Sequence, residues 1–134
     1  MEQHQHRSIY SPIMWTHLFF AYELVRSVRL KEYTLALLGG PTMILSWFYH
    51  RSKKKTCQPI EHYLAKLTQM YITVQSIKFK KNRTQVWMLQ FITFMVWLSE
   101  GWTGYYEEQH SWVHILAALV VHKYLDAVKN NIKT

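Results

Sequence analysis

Residues 110–121 read HSWVHILAALVV, and this stretch decides the expected fold class. Its second half, ILAALVV at 115–121, is an unbroken apolar run, and VWML at 86–89 is a shorter one. A helix on the surface of a soluble protein carries an apolar stripe on one side and polar residues on the other. Unbroken runs instead predict helices that are apolar on all sides, as in membrane spans.

Five helical segments can be placed outward from this stretch, separated by polar or basic connections. They cover residues 12–29, 33–50, 59–78, 84–100 and 110–129. A membrane span needs about 20 mainly apolar residues, and the third segment could cross only with its polar stripe turned toward the bundle interior. We expect an all-α, polytopic membrane helical bundle of about five transmembrane helices. It would be a single domain at residues 12–134, after a polar N-terminal tail at residues 1–11.

The composition narrows the classes of partner. Lys and Arg number 16 against 8 Asp and Glu, and aromatic residues make up 16% of the chain. The basic residues cluster between the apolar runs, at 51–55 and 78–83, as in loops that flank membrane spans. Aromatic residues do not interleave with these clusters as a base-stacking groove would need, so we expect no nucleic-acid partner. A soluble basic helical bundle that binds nucleic acid is the remaining alternative.

The basic residues also predict an orientation. In a five-span arrangement, the N-terminus shares one side with the connections after the second and fourth helices. The opposite side, which holds the C-terminus, carries more Lys and Arg. The positive-inside rule therefore places the C-terminus in the cytosol.

Histidines and one acidic residue converge in this arrangement. His17, Glu61 and His62 begin helices, His50 ends one, and the 110–114 pair begins the last, all toward one side. The helices were assigned without reference to these residues, so their convergence indicates a site.

The pair His110 and His114 is four residues apart, which puts both rings on one face of a helix. Two such imidazoles suit one metal ion, and a histidine from another helix would complete a three-histidine zinc site. The alternative is a polar pair at the membrane interface. For His17 and Glu23, hydrogen bonds within the bundle are expected rather than metal binding.

Two motifs resemble those of the CREST superfamily of membrane proteins, which includes alkaline ceramidases and the adiponectin and progestin receptors. The second helix ends SWFYH at 46–50, similar to the S-x-x-x-H motif of that family. The last helix opens HSWVH at 110–114, similar to its H-x-x-x-H motif and most like the ceramidase form. The resemblance implies an integral protein of an endomembrane such as the ER or Golgi, shortened from the usual seven helices.

The resemblance also implies a ligand set and a reaction. His50, His110 and His114 would bind Zn²⁺, and Ser46, one turn before His50, would help to hold the substrate carbonyl or its oxyanion. The substrate would be a membrane lipid with an amide bond like that of ceramide.

The family carries an acidic residue on its third helix, and two alignments place it differently. With ceramidase-like spacing it falls on Glu61, beside His62. With receptor-like spacing Thr68 takes the position, and no acid remains. Glu61 is the expected proton acceptor, with His62 second. The expected function is zinc-dependent hydrolysis of a lipid amide. The alternative is a catalytically inactive, zinc-stabilised protein that acts as a lipid-binding or structural module.

Overall fold

The computed structural model describes residues 7–52, 58–103 and 106–132, and within these ranges it contains helices and no strand. The helices are α1 (Pro12–Trp15), α2 (His17–Arg29), α3 (Tyr33–Ser52), α4 (Gln58–Ser76), α5 (Arg83–Thr103) and α6 (Tyr106–Ile132). The predicted all-α fold is confirmed, and each of the five predicted segments is helical. Helix α1 is one turn that leads through Thr16 into α2.

Local sequence explains several helix ends. Pro12 occupies the first position of α1, where its missing N–H would have had no partner in any case. The turn after α2 passes through Lys31, whose positive φ of 62° lets the chain reverse into α3. Helix α6 begins at Tyr106, four residues before the predicted start, with Glu108 near its positive end. His110 therefore lies about one turn inside the helix.

Helix α6 is the centre of the bundle, in contact with α1, α2, α4 and α5, while α3 packs between α2 and α4. The apolar core gathers where α2, α4 and α6 end. Leu35, Ile72, Val86 and Leu125 are buried there around Tyr124, which is fully buried. The opposite end, where α2, α4 and α6 begin and α3 and α5 end, is called the histidine end below.

A half-buried carboxylate ties the helices together at the end of the bundle that holds the apolar core. The phenolic hydroxyls of Tyr71 and Tyr124 donate to the same oxygen of Glu32, at 3.1 and 3.2 Å. Glu32 precedes α3, whereas the two tyrosines lie on α4 and α6. The connection between α2 and α3 is thereby attached to the two helices that carry most of the core.

The predicted N-terminal tail lies partly outside the described residues. Its residue Arg7 contacts the end of α3, where its backbone N–H donates to the carbonyl of Arg51 and its guanidinium to that of His50, both at 2.9 Å. These bonds satisfy carbonyls that the end of a helix leaves without partners.

Across the described residues, no helix has an apolar stretch long enough to cross a membrane. The bundle part of the predicted fold is thus confirmed, whereas its membrane part stays a prediction.

Candidate metal centre

Three histidines meet at the histidine end. His50 comes from the last turns of α3, and His110 and His114 lie on successive turns of α6. One ring nitrogen of each lies within 4.8 Å of the others. The ring centroids are 4.6 to 5.2 Å apart, and all three residues are buried. The three predicted ligands are therefore close enough to bind one metal ion.

His50 supplies a test of whether a metal fits. Both of its ring nitrogens are buried, and neither has a hydrogen-bond partner within the described ranges. A buried polar atom left unpaired costs about 1–3 kcal/mol. A cation bound to one of these nitrogens would remove the free-energy cost of leaving that nitrogen unpaired. Imidazole nitrogens suit zinc, copper, iron and nickel, so the donor set fits a transition metal.

Two further residues orient the other imidazoles. The Nδ1 atom of His110 lies 2.7 Å from a carboxylate oxygen of Glu100, at the end of α5. The Nδ1 atom of His114 lies 2.9 Å from the hydroxyl oxygen of Thr16. Because Nδ1 is engaged in both rings, Nε2 is the nitrogen that would bind a metal. Partners of this kind fix the tautomer and orientation of histidine ligands.

Sequence reasoning missed both Glu100 and Thr16. One signal for Glu100 was present, since it ends the fourth predicted helix on the same side as the histidines. No comparable signal pointed to Thr16, because its contact depends on how α1 is rotated against α6.

His17 joins the cluster as a hydrogen-bonding residue, as predicted. Its Nδ1 lies 3.0 Å from the carbonyl oxygen of Met14, and its Nε2 lies 3.0 Å from the hydroxyl of Ser46. A carbonyl can only accept, so the proton is on Nδ1 and the Ser46 hydroxyl donates to Nε2. The rings of His17 and His114 are 4.6 Å apart between centroids. The prediction for Glu23 is also confirmed, since its carboxylate accepts from His122 at 2.7 Å.

The two expected proton-transfer residues begin α4. Glu61 is buried, and its carboxylate lies 3.5 Å from the Nε2 atom of His62. Both line a cavity together with Ser46, His110 and His114. Thr68 lines the same cavity, but its hydroxyl donates to the carbonyl of Leu64 at 2.8 Å. Glu61 of the ceramidase-like alignment and Thr68 of the receptor-like alignment therefore both line the cavity that His110 and His114 also line.

Burial governs the protonation of the site. It lowers the pKa of His50 to about 2, because a charged imidazole would lose its hydration there and would add a positive charge to a cluster of imidazoles. Burial also lowers the pKa of His114 well below its usual range and raises the pKa of Glu61 to about 7. The pKa of His62 is lowered, again chiefly by burial. Neutral imidazole is the form that binds metal, so His50 and His114 are ready to bind at neutral pH.

The cavity beside the cluster measures about 210 Å³. It extends from the histidine end between α2, α3, α4, α5 and α6, and reaches Ser27, Leu35 and Val121 near the apolar core. Most of its wall is apolar, including Phe20 and Trp97. The arrangement joins a metal-binding cluster to an apolar chamber.

Comparison with known proteins gives no match to this chain among family models, curated proteins or solved structures. The likeness of residues 46–50 and 110–114 to the CREST motifs therefore stays a prediction from those motifs.

Proposed function

We propose that this protein is a zinc-dependent hydrolase of lipid amides, with His50, His110 and His114 as the zinc ligands. The observation that carries the proposal is the buried three-histidine cluster, with the buried carboxyl of Glu61 in the wall of the adjoining cavity. Zinc held by three neutral histidines activates water as a nucleophile and polarises a carbonyl.

The residues of the chain would move the protons. Because burial raises the pKa of Glu61 to about 7, its carboxyl can gain and lose a proton near neutral pH. It would take a proton from the attacking water and deliver it to the leaving amine. His62, at 3.5 Å from that carboxyl, is the second candidate for proton transfer. Ser46 would turn its hydroxyl from His17 toward the developing oxyanion.

The surface supports a lipid environment. Large apolar side chains stand exposed on several helices, including Leu18 at 70%, Leu37 at 75% and Phe91 at 64%. Soluble monomers rarely leave extended apolar surface in water. This surface supports a membrane lipid as the partner. The proposals of an endomembrane location and of a cytosolic C-terminus rest on the CREST-like motifs and on the distribution of Lys and Arg.

A second function is a zinc-stabilised module without turnover. The unpaired nitrogens of His50 favour it, since metal binding would stabilise the fold whether or not a substrate is cleaved. The two functions share the metal and differ in Glu61, which only the hydrolase needs.

Metal analysis of the detergent-purified protein is the first test. About one zinc per chain is expected in the wild type, and none in the His50→Ala, His110→Ala and His114→Ala variants. His122→Ala is the matched control, because His122 lies on α6 but bonds to Glu23 at the far end of the cavity. A wild type that takes up no zinc after reloading excludes both functions.

Hydrolysis of ceramide-like amides then separates the two. The hydrolase predicts turnover by the wild type and its loss in Glu61→Gln, with zinc content unchanged. Full zinc occupancy without turnover of any amide supports the inactive module.

A further inference from the structure

Four hydroxyl groups in the cavity wall are satisfied by their own helices, whereas the hydroxyl of Ser46 donates to His17. Each donates to the carbonyl oxygen four residues earlier, at 2.7 to 2.8 Å, and this holds for Ser27, Thr42, Thr68 and Thr93. A hydroxyl has one proton to donate, so these groups have none left for a ligand. Their methyl and methylene groups add to an apolar wall.

The remaining polar wall residues away from the histidines are also accounted for. The amide oxygen of Gln90 accepts from the Thr73 hydroxyl at 2.7 Å. At the far end, the carboxylate of Glu23 is paired with His122 and Arg26. Lys66 and Gln69 are exposed, so their polar ends can remain in contact with water.

Unsatisfied polarity is concentrated at the histidine end. The nitrogens of His50 have no partner in the described part of the chain, and Glu61 is buried with its nearest ion-pair partner, His62, 3.5 Å away. A molecule that fits this cavity would have one polar group at the histidines and an apolar remainder.

Helix geometry sets the length of that remainder. Leu35 and Ser46 mark the two ends of the cavity on α3, and His110 and Val121 mark them on α6. Each pair is separated by 11 residues of helix, or about 16 Å at 1.5 Å per residue. An extended alkyl chain with ordinary carbon–carbon bonds advances roughly 1.25 Å per carbon, so about 12 carbons span this distance.

The cavity volume gives a smaller number of carbons. The volume is about 210 Å³. An engineered apolar cavity of about 150 Å³ holds benzene, with its six carbons, so about 8 carbons correspond to the volume of this cavity. Length and volume together describe a single chain of medium length.

We propose that the cavity is an acyl-chain site that takes one unbranched chain of about 8 to 12 carbons, with its amide or other polar head at the histidine cluster. The inference rests on the proposed function for the position of the head. It narrows the substrate class from ceramide-like lipids in general to amides of medium-chain acyl groups.

Gly39 allows the site to be shortened without disturbing the fold. It lines the cavity on α3, and a Cβ atom added there meets no atom within 4 Å. Leucine also favours a helix more than glycine does, so Gly39→Leu is expected to fold. Its four side-chain carbons would occupy part of the chamber. Gly39→Ala is the intermediate step, and Val25→Leu is the control, because Val25 is 52% exposed on α2.

The probes are straight-chain alkyl hydroxamates of 4 to 16 carbons, whose head group chelates zinc. Their affinity for the zinc-loaded protein would be measured by calorimetry below their micellar concentrations. We expect about a fourfold gain per carbon, because each buried methylene contributes about 0.8 kcal/mol. The gain should stop between about 8 and 12 carbons. Gly39→Leu should move this break about four carbons shorter, while Gly39→Ala moves it less and Val25→Leu leaves it in place.

The outcomes separate this inference from the proposed function. Zinc-dependent binding that keeps rising to 16 carbons, or a break that Gly39→Leu does not move, refutes the acyl-chain site and leaves the metal centre standing. If zinc does not bind, the proposed function fails, and the same series on the metal-free protein decides the acyl-chain site. A break at 8 to 12 carbons that shortens in Gly39→Leu would still support it, and its absence would overturn it.

Discussion

The carboxylate of Glu100 is expected to set the metal affinity of the site through His110. Its oxygen lies 2.7 Å from the Nδ1 atom of His110, and both side chains are about nine-tenths buried. A carboxylate in this position orients the imidazole and makes its other nitrogen a stronger donor. Loss of such a partner typically weakens metal binding 10- to 100-fold, which is about 1.4 to 2.8 kcal/mol.

Two substitutions divide this effect into orientation and charge. Glu100→Gln keeps an oxygen that can accept from Nδ1–H but removes the charge, so we expect zinc affinity to fall about tenfold. Glu100→Ala removes both, and its loss should approach 100-fold. Zinc affinity should therefore decrease from the wild type to Glu100→Gln to Glu100→Ala, because of the single contact between Glu100 and His110.

Competition with a fluorescent zinc chelator at a fixed pH measures the affinities. Glu108→Gln is the matched control, because Glu108 is exposed on α6, two residues before His110, and changes the net charge equally. The reasoning is refuted if Glu100→Gln binds zinc within twofold of the wild type, or if Glu108→Gln weakens binding as much. Far-ultraviolet circular dichroism would check that the variants remain helical.

Three other predictions follow from the geometry. Thr16→Val should weaken zinc binding less than Glu100→Gln does, because the hydroxyl it removes is neutral. In metal-free Glu61→Gln, the free energy of unfolding measured with urea should fall by at least about 1.4 kcal/mol between pH 8 and pH 5.5. This is because His50 takes up a proton near pH 6.5 only when unfolded, and His114, whose pKa is also lowered by burial, adds to the loss. The wild type should lose less, since the raised pKa of Glu61 means that the folded state takes up its proton first as the pH falls toward 5.5. Tyr124→Phe should lower the free energy of unfolding by about 1–2 kcal/mol, because a partly buried hydrogen bond to the carboxylate of Glu32 is lost; no change in the urea midpoint would contradict this.

The sequence predicted the helices well because its apolar runs are separated by polar connections. It also predicted which end of the bundle carries the histidines, since consecutive helices alternate in direction. That rule brought His50, at the end of α3, to His110 and His114, near the start of α6. The end of the bundle at which a residue lies depends only on helix order and helix length, and both can be predicted from the periodicity of the chain.

Contacts that depend on helix rotation were not predictable in this way. The contact of Thr16 with His114 joins residues 98 apart, and that of Glu100 with His110 crosses the connection between α5 and α6. Whether a side chain turns inward at such a place depends on the packing of several helices at once.

Short apolar runs in the sequence indicated membrane spans more strongly than the composition of the complete helices does. ILAALVV at 115–121 is followed at once by His122 and Lys123, which end the apolar stretch within α6.

The location of the apolar core bears on the role of the metal. The core around Tyr124 lies where α2, α4 and α6 end, about 10 residues along α6 from His114, or roughly 15 Å. Most of the apolar burial that drives folding is thus independent of the cluster. A structural zinc site normally replaces a missing core, as in small domains that are unfolded without metal. Here a core exists already, while the cluster opens onto a cavity that contains a buried carboxyl. This separation favours a metal centre that serves chemistry over one that only holds the fold together.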